Sequence, residues 1–225
     1  MPQGGVARRA TKIKEARASA QNVLLVDAGN SLTTNPEDAG SQEPSPREQG
    51  RAGVEVLNRL GYDAVAIGEK DLLLGAQDLK QRISEAKGVT FVSANLVDKA
   101  TGKLLVQPYV IKPVGGHRIA LIGITGGLGK AQGFTLVPPL DAAREYVQQV
   151  QSQADIVILI LPYAPETHHY IGRAELTKMK PSAVLINIAR GGIVDDGALA
   201  EALKAGRIWA AGLDVHEREP VVHPA

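Results

Sequence analysis

The stretch that decides the fold is MKPSAVLINIARGGIVDDGALAEALKAGRIWAAGLDVHEREP, residues 179–220. Its apolar run at residues 183–188 is short enough for a buried strand and ends at a turn that contains two glycines, Gly191 and Gly192. Residues 195–205 begin with carboxylates that can cap a helix, and Gly206 marks the expected end of that helix. Because residues 208–213 form a second apolar run, the stretch predicts a βαβ unit.

Three charged residues follow the predicted strands of this unit. Arg190 comes directly after the first strand, and Asp214 and Glu219 come after the second. In open α/β sheets, ligands bind outside the carboxyl ends of the strands. The stretch therefore predicts a ligand site at this edge. Solvated turn residues are the alternative reading of these charges.

The rest of the chain alternates in the same way, which predicts an α/β fold of alternating strands and helices. Apolar strand candidates lie at residues 22–28, 64–67, 90–94 and 155–161, with helical patterns at 54–60, 79–86 and 141–153. Residues 107–114 and 118–124 predict a hairpin that turns at Gly115 and Gly116. Residues 33–50 are rich in proline and carboxylates, so we expect a surface loop there.

The overall composition excludes several classes of protein. With 225 residues and 44% hydrophobic content the chain can bury a core, and its net charge of +1 gives no general attraction to nucleic acids or acidic membranes. There is no cysteine, hence no disulfide, and no apolar run is long enough for a membrane span or a secretory signal. We expect a cytoplasmic protein without nucleic-acid or membrane partners, for which a homo-oligomer is an open alternative.

Spaced motifs in the C-terminal part carry a resemblance to a known family. The motifs are ADIV (154–157), LPYAPET (161–167), NIARGG (187–192), GLDV (212–215) and the pair Glu219-Pro220. In this order they resemble the NAD-binding domain of the D-isomer-specific 2-hydroxyacid dehydrogenases. The resemblance implies Rossmann-like βαβ units, NAD or NADP as cofactor, and a small 2-hydroxy or 2-oxo acid as partner.

The resemblance also implies roles for individual residues. Arg190 would bind the carboxylate and carbonyl of the acid, and Glu219 would pair with a catalytic histidine, so both are candidate catalytic residues. Cofactor contacts are implied for six residues: Leu161, Pro162, Ile188, Ala189, Arg190 and Asp214. No metal-ligand set is expected.

Two parts of the dehydrogenase machinery are not evident, which leaves open whether the chain is an enzyme. The family's catalytic histidine follows well beyond the Glu-Pro pair, and His223 lies too close to Pro220 to match it. Residues 123–130, GITGGLGK, follow a predicted strand and offer backbone N–H groups for an anion, but their glycines depart from the G-x-G-x-x-G spacing. Pyrophosphate binding and a purely structural loop both stay open there.

The N-terminal part carries a second resemblance. Its motifs are GGVARR (4–9), LVDAGNS (25–31), LGYDAVAIG (60–68) and SANL (93–96). They resemble the N-terminal domain of the calcineurin-like metallophosphoesterases of the 5′-nucleotidase type, which hold two metal ions. Asn30 stands where that family has a bridging aspartate, and Glu69 and Lys70 stand in place of an Asn-His pair, so the resemblance implies a degenerate metal site.

Together the two resemblances predict a chimeric chain, composed of a metallophosphoesterase-like segment (1–150) and a partial NAD-binding segment (151–225). The leading hypothesis is an NAD-binding, 2-hydroxyacid-dehydrogenase-like oxidoreductase. The alternatives are a degenerate metallophosphoesterase-like binding domain without catalysis, and a non-functional fusion product.

Overall fold

The structure is a computed structural model that describes residues 5–33, 46–150, 152–160, 167–187, 190–213 and 215–217. The helices in these residues are α1 (Val6–Ser19), α2 (Pro46–Leu60), α3 (Gly75–Ser84), α4 (Pro139–Val150), α5 (Arg173–Lys178) and α6 (Asp196–Lys204), with a 3-10 helix at Lys70–Leu74. The strands are β1 (Val26–Asp27), β2 (Ala64–Ala66), β3 (Thr90–Val92), β4 (Leu96–Asp98), β5 (Lys103–Leu104), β6 (Tyr109–Val114), β7 (His117–Gly123), β8 (Phe134–Leu136), β9 (Ile156–Ile160), β10 (Val184–Asn187) and β11 (Ala210–Leu213). None of the described helices is long and apolar enough to span a lipid bilayer.

The first sheet confirms the predicted alternation of strands and helices. β1, β2 and β3 pair in parallel in that order, with α2 between β1 and β2 and α3 between β2 and β3. Leu57 of α2 and Leu79 of α3 are fully buried in the same cluster as Val65 of β2. Burial of each such side chain stabilises the fold by about 1.5–3 kcal/mol. The apolar faces of α2 and α3 therefore pack these two helices against the sheet.

The prediction of a loop at residues 33–50 is wrong for residues 46–50, because α2 begins at Pro46. Proline is favoured in the first turn of a helix, where its fixed φ suits the helix and its missing N–H would have no partner in any case. Residues 34–45 lie outside the described part of the chain.

The second sheet contains β6, β7 and β9 and spans the predicted boundary between the two segments. β6 and β7 form the predicted hairpin, and its turn residues Gly115 and Gly116 have φ values of 58° and 82°, as the tight two-residue turn requires. β7 then pairs in parallel with β9 along residues 119–123 and 156–160. Both segments therefore contribute strands to one sheet.

A third, antiparallel sheet of β5, β4 and β8 was not predicted from the sequence. Its strands are two or three residues long, which is too short to show an alternation of apolar and polar residues.

The C-terminal unit has the predicted βαβ topology. β10 and β11 pair in parallel with Val184 opposite Ala210 and Asn187 opposite Leu213, so the two strands end together. The Asp195 side chain caps α6 by accepting a hydrogen bond from the backbone N–H of Ala198 (2.9 Å).

The buried face of α6 includes Leu199 and Ala202. Leu199 and Ala202 are buried, together with Leu176 of α5, whereas Leu203 is 37% exposed. Leu199 and Ala202 are three residues apart, which is also a same-face spacing on a helix.

Candidate functional site

The turn that follows β10 places Arg190 at the edge where β10 and β11 end. The buried Asn187 donates a hydrogen bond from its side-chain Nδ2 to the carbonyl oxygen of Arg190 (3.0 Å), which ties the turn to the strand. Gly192 takes φ 79°, a value that glycine adopts without steric cost. The Arg190 side chain is exposed, so its guanidinium is accessible from solvent while its backbone is held in place.

Gly191 brings this turn into direct backbone contact with the segment after β11. A Cβ atom added to Gly191 would overlap the carbonyl group of His216, because the two backbones lie well within the usual contact distance of a side chain. The turn therefore needs a glycine at position 191 for space, and at position 192 for its φ. The contact places the Arg190 turn beside residues 215–217, which lead into the Glu-Pro pair.

Most of the predicted site residues fall in parts of the chain whose placement is not described. Leu161, Pro162, Ile188, Ala189, Asp214 and Glu219 all lie outside the described residues. Their predicted contacts with cofactor and substrate stay predictions. Arg190 is described and lies at the predicted edge of the sheet.

A loop with two histidines lies against the Arg190 turn and was not predicted as part of a site. The backbone N–H of His169 donates to the carbonyl oxygen of Gly192 (2.7 Å), and Ile171 donates to Ile193 (3.0 Å). The His169 ring contacts the Glu217 carboxylate through Nε2, and it stacks on the ring of His168. The sequence separates His169 from Glu217 by 48 positions, so no local spacing pattern could indicate this contact.

The glycine-rich loop at residues 123–130 does not fit a dinucleotide pyrophosphate. A Cβ on Gly127 or on Gly129 would meet the carboxylate of Glu69, so a negative charge already lies against both glycines. The segment runs on into β8, whereas an anion site of this type uses the N-terminus of a following helix. A pyrophosphate would be repelled here, and no role in cofactor binding is assigned to the loop.

The edge of the first sheet uses its carboxylates to hold loops. Asp71 is 1% exposed and accepts hydrogen bonds from the backbone N–H groups of Asn30 (2.8 Å), Leu32 (2.8 Å) and Gly68 (2.9 Å). Burial raises the pKa of Asp71 to about 6, against the opposing effect of these three donors. The carboxylate of Asp27 accepts from the backbone N–H of Gly29 (2.9 Å) and from the hydroxyl of Ser31.

This edge does not fit a two-metal centre. Among the described residues, no three histidine or carboxylate ligand atoms at the edge lie close enough together to hold a metal ion. Asn30 instead accepts a hydrogen bond from the backbone N–H of Lys70 (2.8 Å) through its side-chain oxygen. The polar side chains at this edge therefore hold the loops together by hydrogen bonds to their backbones.

Comparison with known proteins shows a family to which the C-terminal part is similar. Residues 138–225 match the NAD-binding domain of the D-isomer-specific 2-hydroxyacid dehydrogenases. We call residues 138–225 the dehydrogenase-like segment. The match confirms the predicted resemblance. The matched family binds NAD, which agrees with the predicted cofactor class.

Two curated relatives are similar over different lengths. The D-3-phosphoglycerate dehydrogenase of Methanocaldococcus jannaschii is 32% identical over 93% of this chain and 43% of its own length. The glyoxylate/hydroxypyruvate reductase B of an Enterobacter species is 56% identical over 33% of this chain and 23% of its own length. The chain thus spans less than half the length of either relative.

A solved structure confirms the second predicted resemblance at the level of the fold. The 5′-nucleotidase precursor of Thermus thermophilus superposes on 83% of this chain and 38% of its own chain, with a TM-score of 0.58 and 23% identity. The α/β fold class and its likeness to two families are confirmed. The division at residues 150 and 151 stays a prediction.

Proposed function

We propose that this chain is an NAD(P)-binding, 2-hydroxyacid-dehydrogenase-like protein that binds a small 2-oxo or 2-hydroxy acid at the Arg190 turn. The observation that carries the proposal is the backbone contact between this turn and the segment after β11. It unites two loops at the carboxyl edge of a parallel strand pair, where α/β proteins bind ligands. Both loops belong to the dehydrogenase-like segment.

Arg190 is suited to recognise the acid. Its guanidinium is permanently charged and presents a planar fork that matches a carboxylate in two-point hydrogen bonding. The hydrogen bond from Asn187 to the Arg190 carbonyl fixes the backbone from which the side chain extends. The backbone that carries the side chain is therefore fixed before the ligand arrives, and only the exposed side chain itself has to be ordered on binding.

We further propose that NAD or NADP, when bound, supplies the hydride chemistry, and that six residues contact it: Leu161, Pro162, Ile188, Ala189, Arg190 and Asp214. Glu219 is proposed to pair with a catalytic histidine. No described residue is assigned as the proton carrier. The proposal therefore concerns the binding of cofactor and acid rather than catalysis.

The sequence also supports three wider proposals. They are a division into segments 1–150 and 151–225, a cytoplasmic location, and compatibility with a homo-oligomer. The names of the relatives make glyoxylate and hydroxypyruvate the first acids to test.

The test measures binding of NADH by fluorescence and then binding of glyoxylate or hydroxypyruvate by calorimetry in the presence of NADH. Arg190→Ala should weaken acid binding at least about tenfold, because a charge-assisted hydrogen-bond pair is lost, and Arg190→Lys should fall between because it keeps the charge without the fork. Arg207→Ala removes an exposed arginine beyond the far end of α6 and serves as the matched control. Equal acid affinity in wild type and Arg190→Ala would refute the assignment.

A second function rests on the fold of the N-terminal part. The likeness to the 5′-nucleotidase precursor supports a metallophosphoesterase-like scaffold, here proposed as a binding domain without catalysis. Since its edge carboxylates hold backbone groups, we expect manganese to give no hydrolysis of p-nitrophenyl phosphate above the rate of a protein-free control. Turnover that depends on manganese and is lost on chelation would contradict this expectation and favour an active phosphoesterase.

A further inference from the structure

We propose that His168, His169 and Glu217 form a binding site for one divalent transition-metal ion, with zinc as the best match. Two imidazole nitrogens and one carboxylate oxygen from these residues all lie within 4.8 Å of one another. The residues come from two loops that are distant in the sequence, the loop before α5 and the segment after β11. The sequence had indicated no metal ligands, so this site emerges only from the fold.

The backbone of the histidine loop sets both rings on the same side. In extended chain, successive side chains point to opposite faces, which would separate His168 from His169. His169 instead has φ 49°, a left-handed conformation that few non-glycine residues adopt. The two rings stack with their centroids 4.0 Å apart and their planes 22° apart. The hydrogen bond from His169 N–H to Gly192 holds the loop in this conformation.

Asp195 and Asp196, at the start of α6, support the other side of the site. The backbone N–H of Glu217 donates to a carboxylate oxygen of Asp196 (3.2 Å), which fixes the segment that carries the third ligand. Asp195 places its Oδ2 3.9 Å from Nδ1 of His169, while its Oδ1 caps the helix. A carboxylate that hydrogen-bonds to the far nitrogen of a histidine orients metal-binding imidazoles in proteins, and Asp195 lies near that position but beyond hydrogen-bond distance.

The second nitrogen of His169 then faces the proposed metal. With Nδ1 turned toward Asp195, Nε2 faces the carboxylate of Glu217. The side chains are 40% exposed for His169 and 23% exposed for Glu217, so an ion can enter from solvent. The support from α6 and the accessible ligand atoms together make an open site, which an ion can occupy once Glu217 withdraws from His169 and the stacked rings tilt to bring one nitrogen of each onto it.

The donor set selects among metal ions. Imidazole nitrogen suits zinc, copper, nickel and iron, whereas magnesium and calcium prefer oxygen ligands alone. Three protein ligands leave a fourth position for water, as in open zinc sites. Tetrahedral zinc with bonds of about 2 Å places its ligand atoms about 3.3 Å apart, so the Glu217 carboxylate must withdraw from direct contact with His169 to admit the ion.

A metal ion here would also fix the Arg190 turn. The loop that carries His169 is hydrogen-bonded to Gly192, and the segment that carries Glu217 adjoins Gly191. The proposal does not rest on the proposed function, because metal binding is measured without cofactor or acid. Loss of NADH or acid binding would leave it intact.

The test titrates the metal-free full chain with zinc in competition with a chromophoric chelator. We expect one zinc ion per chain with a dissociation constant below about 10 μM, and His168→Ala, His169→Ala and Glu217→Gln should each weaken binding at least about tenfold. His117→Ala removes an exposed histidine from β7 and should leave the affinity unchanged. Wild-type binding weaker than about 10 μM, or full affinity in His169→Ala, would overturn the proposal and leave a plain histidine–carboxylate contact.

A measurement on the wild-type chain alone guards against misfolded variants. Zinc should slow amide hydrogen exchange in residues 167–171 and 215–217, because the ion joins these two segments. At zinc concentrations about 100 times the dissociation constant it should raise the melting temperature by about 5–10 °C. Unchanged exchange in both segments at saturating zinc would place the ion elsewhere and refute the site.

Discussion

Replacing Gly191 by alanine is expected to lower the free energy of unfolding by about 3 kcal/mol, the upper range for inserting atoms into a packed region. The physical reason is the backbone of the His216 segment, which occupies the place of a side chain at position 191. A flexible side chain could turn away from a new methyl group, but a carbonyl group held in the chain cannot. The two loops must therefore separate, and Gly191→Val should separate them further.

Gly212→Ala is the matched control for this change. Gly212 lies in β11, one strand away, and a Cβ atom there meets no described atom within 4 Å. Denaturant unfolding followed by circular dichroism measures both variants, and Gly212→Ala should stay within about 0.5 kcal/mol of wild type. Equal stabilities of Gly191→Ala and Gly212→Ala would show that the loops move apart at little cost. The same separation should weaken acid binding at Arg190, which calorimetry would register independently.

The pair Gly191-Gly192 shows how far a sequence pattern reaches. Two glycines after an apolar run predict a tight turn, and the turn is present. The pattern attributes the requirement for glycine to positive φ, which holds for Gly192. At Gly191 the requirement comes from a segment 25 positions away, and no local pattern contains that information.

The same distinction separates the predicted from the unpredicted parts of the fold. The parallel units around β2 and β10 were predictable because apolar runs of strand length alternate with helical patterns. The antiparallel strands β4, β5 and β8 are held by their partners across the sheet rather than by periodicity. The contact between His169 and Glu217 likewise depends on residues that are distant in the sequence, so it could not be predicted. The position of Arg190 was predictable because it belongs to a local motif.

The pairing of β7 with β9 bears on the predicted composite character of the chain. Five residues of β9 continue a sheet that begins in the N-terminal segment, and Ile122 and Ala142 share one buried cluster with Ile193. A chimeric chain can bury a common core in this way only if β9, the strand at the predicted boundary, packs well against both segments. A run such as IVILI, which is apolar throughout, satisfies the sheet from either family.

The second large effect is expected at Asp71, whose carboxyl group makes the stability of the N-terminal segment depend on pH. Burial raises its pKa in the folded protein to about 6, from 3.8 in an unfolded chain. Between these values the folded protein keeps a proton that the unfolded chain releases. Stability therefore falls as the pH rises from about 4 to about 6, and the difference amounts to about 3 kcal/mol for this shift. Below the unfolded pKa the contribution of Asp71 is fully present.

Asp71→Asn isolates this contribution, because asparagine has the same shape and does not titrate. The variant should lose stability at every pH, since an amide NH₂ group must face one or more of the backbone donors at Asn30, Leu32 and Gly68. The measured quantity is the free energy of unfolding of wild type minus that of Asp71→Asn, from urea titrations between pH 4 and pH 7. This difference should shrink by about 3 kcal/mol as the pH rises.

Asp141→Asn changes an exposed carboxyl in the first turn of α4 and supplies the background pH dependence. A difference that instead grows with pH would mean that the three backbone donors outweigh desolvation and hold the Asp71 pKa low. In that case the clamp at Asp71 would act as an ionised carboxylate, and the loops at Asn30 and Gly68 would loosen in acid. The sign of one pH profile thus decides whether burial or hydrogen bonding controls this edge of the sheet.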